Sequence, residues 1–215
     1  MRGIKIICNG DEIHTGKDLD LVQEVKEIGK PEIQSHIVEV PGRNGLLNLT
    51  KGLTGKVMYF NRELSFRYFG TGTRKRLLEI DALLSYYHGE TVRIVDDDYP
   101  EHFYEGELSV ESELHGNYIT ISLTVDAQPF RFKMARTVYS RDINGTVTIY
   151  LDNESIAAVP TITVTAETKI VFNGVSANIS AGTYVAEAFE LHKGVNAFEV
   201  SGTGTITIEY QEGAI

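Results

Sequence analysis

Residues 40–50 read Val40-Pro41-Gly42-Arg43-Asn44-Gly45-Leu46-Leu47-Asn48-Leu49-Thr50, and residues 51–66 continue KGLTGKVMYFNRELSF. Two readings of this stretch lead to different folds. A phosphate cradle would need a helix directly after the loop, its first amides facing the anion, and would signal an α/β protein. A turn running into a short strand belongs to a β protein. Pro41 ends the preceding strand, Asn44-Gly45 makes a sharp reversal, and Leu47 and Leu49 alternate with polar Asn48 and Thr50. Gly52, Gly55 and the turn residues around them speak against a helix. The expectation is therefore a turn entering a short strand.

Outward from this point the chain reads as strands. Residues 4–8 are an apolar run closed by Asn9-Gly10, residues 21–28 alternate roughly, and residues 33–40 follow the Gly29-Lys30-Pro31 break. Residues 57–69 are rich in aromatics and read as one long strand. A single helix stands out near residues 73–88. Thr73 is placed to be its N-cap, Leu77, Ile80, Leu84 and Tyr87 share one face, and Gly89 can end it in a left-handed conformation. Arg74, Lys75 and Arg76 fall in its first turn, where the helix dipole disfavours positive charge. Either this turn is solvated or its arginines have partners elsewhere. Beyond the helix, Ile119, Ile121, Leu123 and Val125 alternate strictly, and the pattern breaks near Ala127-Gln128-Pro129.

From about residue 144 aromatics thin out. The runs TVTIYL, PTITVTA, TKIVFNG, NAFEV and GTITIEY suggest strands of four to seven residues separated by Asn-Gly and Gly turns, the pattern of a β-sandwich. Two domains are expected, residues 1–136 and residues 137–215. The second is the more acidic, with 3 basic and 9 acidic residues against 17 and 21 in the first.

Composition bounds the chemistry. The chain has 215 residues, a formal net charge of -10 and 42% hydrophobic residues, so an ordered protein is expected and nucleic-acid phosphates would be repelled. No signal peptide and no membrane span is visible, which points to synthesis in a cytoplasm. The lone Cys8 ends an apolar run and reads as a small buried side chain. The six histidines are scattered, and no HExxH, GxSxG or complete GxGxxG motif occurs. Asp96, Asp97 and Asp98 are adjacent rather than alternating, which suits a polar hairpin turn closed by Tyr99-Pro100 better than a calcium loop. No catalytic residue, cofactor site or metal site is expected.

The succession VPGRNGLLNLT, LTG and YFNRELSF resembles the start of the distal tail protein (Dit) family of long-tailed bacteriophages. In that family a PGR-[DN]-G-x-x-[DN]-LT string precedes an aromatic, an NR pair and an alternating strand. A short amphipathic helix ending in HGE (residues 88–90), an acidic turn, FYEGELSV and a terminal GTGTITIEYQEG follow in the family's order. Asn44 and Asn48 stand where family members more often carry aspartate, so an ion pair from Arg43 to those positions is not implied, while turn formation is.

The resemblance implies a mainly β protein of two domains: an N-terminal β-rich ring-forming domain with one helix, and a C-terminal galectin-like β-sandwich. It implies a non-enzymatic virion component at the distal end of a phage tail, six copies closing a ring. Tail tube protein would bind on one side, a tail-tip or tail-associated lysin protein on the other, and receptor-binding proteins at the periphery. Arg43, Asn44 and Arg62 are the candidate contacts between protomers. For Arg43 two roles stay open, an ion pair within its own chain or a reach to a neighbour. A different class, a carbohydrate-binding adhesin module, is suggested by the C-terminal sandwich alone.

Overall fold

A computed structural model describes residues 2–42 and 44–215, with side chains throughout except at positions 51 and 54. The chain is mainly β and divides into two compact units, Met1–Arg131 and Phe132–Ile215. The division falls inside a continuous strand, with no linker.

In the first unit the strands are Ile4–Cys8 (β1), Asp11–His14 (β2), Val22–Ile28 (β3), Ile33–Gln34 (β4), Ile37–Val38 (β5), Leu47–Asn48 (β6), Met58–Tyr59 (β7), Arg62–Thr71 (β8), Thr91–Asp96 (β9), His102–His115 (β10) and Tyr118–Lys133 (β11), the last crossing into the second unit. Helices are Leu49–Thr54 (α1) and Arg74–Leu84 (α2). The main sheet runs β2-β1-β9-β10-β11-β8-β3. Its core follows from period-two patterning. On β11, Ile119, Ile121, Leu123, Val125 and Ala127 are fully buried, and Tyr68, Phe66 and Leu64 of β8 lie directly opposite Ile121, Leu123 and Val125. Each such side chain contributes roughly 1.5–3 kcal/mol on burial. Ile80, Leu84 and Tyr87 seal the same core. Gly106 on β10 is where two backbones meet most closely: a Cβ there would lie 2.3 Å from the Asp126 carbonyl oxygen.

Several expectations are corrected. The stretch after Leu47–Asn48 is the six-residue helix α1, not a turn and strand alone. Its start serves its neighbour, since the Leu49 amide donates to the His36 carbonyl (2.8 Å) and Thr50 Oγ1 accepts from the His36 amide (3.0 Å). The segment 57–69 is broken at Phe60-Asn61 into β7 and β8. Helix α2 stops at Leu84, one turn early. Turns then lead to Gly89, whose positive φ of 80° lets its amide reach the Leu108 carbonyl at 2.7 Å. Strand β11 runs through Pro129 without a break.

The second unit holds Thr137–Asn153 (β12), Thr161–Val164 (β13), Thr168–Phe172 (β14), Val175–Ile179 (β15), Gly182–Val185 (β16), Gly194–Tyr210 (β17) and Gly213–Ala214 (β18). In place of uniformly short strands, β12 and β17 each run 17 residues and pair along their whole length. The Asn144-Gly145 and Gly202-Thr203-Gly204 signals are bends inside these strands, with Gly145 opposite Gly202. Before the bend β17 pairs with β14, and after it with β13. One sheet thus folds over a single core, in which Phe172 and Phe198 stack at 4.3 Å beside Ile162, Ile206 and Ile208.

Candidate assembly interface

Within the first unit, residues 30–42 and 44–61 form an arm. Two short ladders build it: Ile33 and Gln34 pair with Tyr59 and Met58, and farther out Ile37 and Val38 pair with Asn48 and Leu47. The Phe60 amide donates to the Glu32 carbonyl at 2.9 Å, closing the base. Positive φ angles at Gly42 and Gly45 turn the chain at the tip. Helix α1 lies between β6 and β7.

This arm has almost no interior. Among its described residues only Pro31 is buried. Ile33, Ile37, Leu46, Leu53, Met58 and Phe60 are exposed, Leu53 at 84% and Leu46 at 66%. Isolated apolar side chains on a surface are ordinary, whereas a run of them on one projecting element marks an interaction site. Two-residue ladders without a core are marginal in water.

The sequence-derived contact residues fall in different places. Arg43 lies outside the described residues. Asn44 is exposed at the tip. Arg62 opens β8 at the arm's base and is only 6% exposed. Its Nη1 donates to the Gly29 carbonyl at 3.0 Å, and its guanidinium lies 4.6 Å over the Tyr104 ring. Nε and Nη2 have no acceptor. Burial, with Arg131 nearby, pulls its pKa below that of an ordinary arginine, against the influence of Tyr104. This geometry gives Arg62 a role inside its own protomer: it clamps the end of β3 to the start of β8.

The other charged features of the unit are also internal. Asp96 and Asp98 both pair with Lys26, the latter at 2.7 Å. Burial works against the Lys26 ammonium, but the hydrogen bonds and charges of the two aspartates outweigh it and its pKa is raised. Asp97 accepts from the Gly3 amide (2.9 Å) and faces His14 Nε2 at 3.1 Å. Because His14 Nδ1 accepts the Gly16 and Lys17 amides, the ring proton sits on Nε2 and is donated to Asp97. The aspartates thus serve two ties, Asp96 and Asp98 to Lys26 on β3 and Asp97 to His14 and Gly3. Arg76 has the partners its helix position called for, the carbonyls of Thr71 (2.7 Å) and Leu19 (3.2 Å). Among the described residues no group of three potential metal ligands occurs, and no helix is long and apolar enough to cross a membrane.

The exposed apolar arm is the feature that residue patterns did not single out. Its only sequence signal was apolar residues at Ile33, Ile37, Val38 and Val40 without clean alternation.

No protein-family model and no curated protein sequence matches the chain. In structure it is similar to the crystal structure of Dit (gp 19.1) of phage SPP1, described as a paradigm of the hub adsorption apparatus in phages infecting Gram-positive bacteria. The TM-score is 0.68 at 15% identity, over 99% of each chain. At that identity the likeness establishes a shared fold across both units.

Proposed function

We propose that this chain is a structural, non-enzymatic hub at the distal end of a long phage tail, closing as a ring of six. Residues 1–136 form the ring domain and residues 137–215 the outward galectin-like domain. Tail tube protein binds one side of the ring, a tail-tip or tail-associated lysin protein the other, and receptor-binding proteins dock at the periphery. The observation that carries this reading is the fold likeness to a phage hub protein over 99% of both chains. The motif series from Pro41 to Arg62 and the uncovered arm support it, since a head-to-tail ring needs one surface that projects and another that receives.

Size-exclusion chromatography with light scattering tests the proposal. Six copies of 23.9 kDa make a particle of about 143 kDa, and negative-stain images should show a ring with a central opening. Monomers alone, both in the purified protein and in a mixture with its tail-tip partner, would sink the reading.

The adhesin reading is weaker. Phe172, Phe189 and Phe198 pack on one another inside the second unit, leaving them unavailable to stack on a sugar. Tyr150, 67% exposed, is the observation that favours it. A glycan array without binding at high protein concentration removes it.

A further inference from the structure

The first unit carries a second uncovered apolar surface, at the other end of the strand order from the arm. Strand β2 is the edge of the sheet, and helix α2 lies beside it. Between them is an open cleft of about 420 Å³. Ile13, Leu83 and Tyr86 supply its apolar wall, and Leu83 is 52% exposed. Asp11, Glu12 and Asp18 rim it, with no basic residue among the lining side chains. Lys5 pairs with Glu12 at 3.0 Å. Asp11 accepts the Tyr86 hydroxyl, and Asp18 accepts the His14 amide.

The arm has the complementary character. On a chain of net charge -10, residues 30–61 carry Lys30, Arg43, Lys51 and Lys56 against Glu32 and Glu39, a net +2. It is a basic island with an exposed apolar face, and the cleft is an apolar wall with an acidic rim. The arm grows from β3 and β8, at the end of the sheet opposite β2. A surface at one end that fits a different surface at the other makes a heterologous contact, which repeats from copy to copy and closes when the rotation allows.

We infer that the arm of one protomer docks in the β2–α2 cleft of a second copy of the same chain, its apolar face on Leu83 and Tyr86 and its net positive charge against the acidic rim of Asp11, Glu12 and Asp18. The inference rests on the ring reading above and adds which two surfaces meet.

The test places the photocrosslinker p-benzoylphenylalanine at Leu83 in the full chain, measures mass by light scattering, irradiates, and maps the crosslinked peptides by mass spectrometry. Crosslinks from position 83 to residues 30–61 of another copy are expected. An oligomer whose crosslinks fall elsewhere, including α2 to α2, overturns the docking and leaves the ring reading standing. Monomer mass both for the protein alone and in a mixture with its tail-tip partner overturns both. Charge reversal gives the second arm of the test. Lys30→Glu with Lys56→Glu, or Asp11→Lys with Glu12→Lys, should each weaken assembly at least tenfold, while all four substitutions in one chain should recover it. Reversed variants that assemble as the wild type does, or a fourfold variant that stays dissociated, overturn the pairing.

Discussion

Replacing Arg62 by methionine tests how opposing effects balance at the arm's base. The substitution removes a charged hydrogen bond to the Gly29 carbonyl, worth about 1.5–3 kcal/mol, and a cation–π contact with Tyr104 worth about 0.5–2 kcal/mol. It also removes two buried donors, Nε and Nη2, that have no acceptor. Each of these costs about 1–3 kcal/mol in the wild type. Methionine fills much of the same volume with an adaptable apolar chain. The gains and losses nearly cancel, so Arg62→Met should leave the first unit within about 1 kcal/mol of the wild type, or slightly more stable. Arg62→Ala, which empties the site, should cost about 2–4 kcal/mol. With no tryptophan in the chain and two compact units, a single optical transition does not report on this unit alone. Amide hydrogen exchange at Leu123 and Phe66, paired across β8 and β11, reports this unit alone. A loss above about 3 kcal/mol for Arg62→Met would refute the reasoning, because it would mean that the guanidinium is fully compensated in the fold.

Three further outcomes follow from the same geometry. Replacing residues 32–60 with an Asn-Gly turn should leave the first unit folded, since no arm residue belongs to its core and the ends meet at the Phe60–Glu32 hydrogen bond; light scattering should then show monomers, and a retained oligomer would contradict the role given to the arm. Gly106→Ala should cost about 1–3 kcal/mol or more by the same exchange assay, because the new methyl meets backbone, at 2.3 Å from the Asp126 oxygen, rather than a movable side chain. For pH, burial opposes ionisation of Asp97 and Glu212, yet hydrogen bonds from His14 and Gly3 to the first, and from Thr137 and Lys133 to the second, hold both pKa values below the usual carboxylate range. The unfolded chain therefore binds protons more readily than the folded one. Stability should be full above about pH 4 to 5 and fall as acid titrates these groups through their lowered values. Urea midpoints at pH 7 and pH 3 measure the change, and Asp97→Asn should flatten it for the first unit.

Where a segment has two chemically distinct faces, its sequence was legible. Strict alternation from Ile119 to Val125 announced a strand with one dry side, and all four apolar residues of that run are fully buried. The three-four-three spacing of Leu77, Ile80, Leu84 and Tyr87 announced an apolar face, and all four residues do pack on the core, although Tyr87 lies past the helix end at Leu84. Glycine signals were ambiguous for a physical reason. Asn144-Gly145 permits a reversal or a bend, and the difference lies in its partner, Gly202, 57 residues away, which keeps the ladder intact through the bend. Helix α1 was missed because Gly52 inside it and Gly55 just after it weigh against a helix by propensity, while its first amide is satisfied by His36 from another segment.

The candidate contacts show the same division. In sequence Arg62 reads as a polar residue within the long strand expected over residues 57–69, and nothing local marks it as buried; Tyr104 and Gly29, distant in sequence, make it so. The amino-acid order by itself determined the β character, the place of the long helix, the acidic balance of the chain and the basic, apolar composition of residues 30–61. Only the tertiary structure decided which of two similar leucines is core and which is surface. Leu123 lies opposite Phe66 in the sheet and is sealed, while Leu53 rides on an arm with no second layer and stays 84% exposed. Burial is a property of the partners a residue meets across the fold.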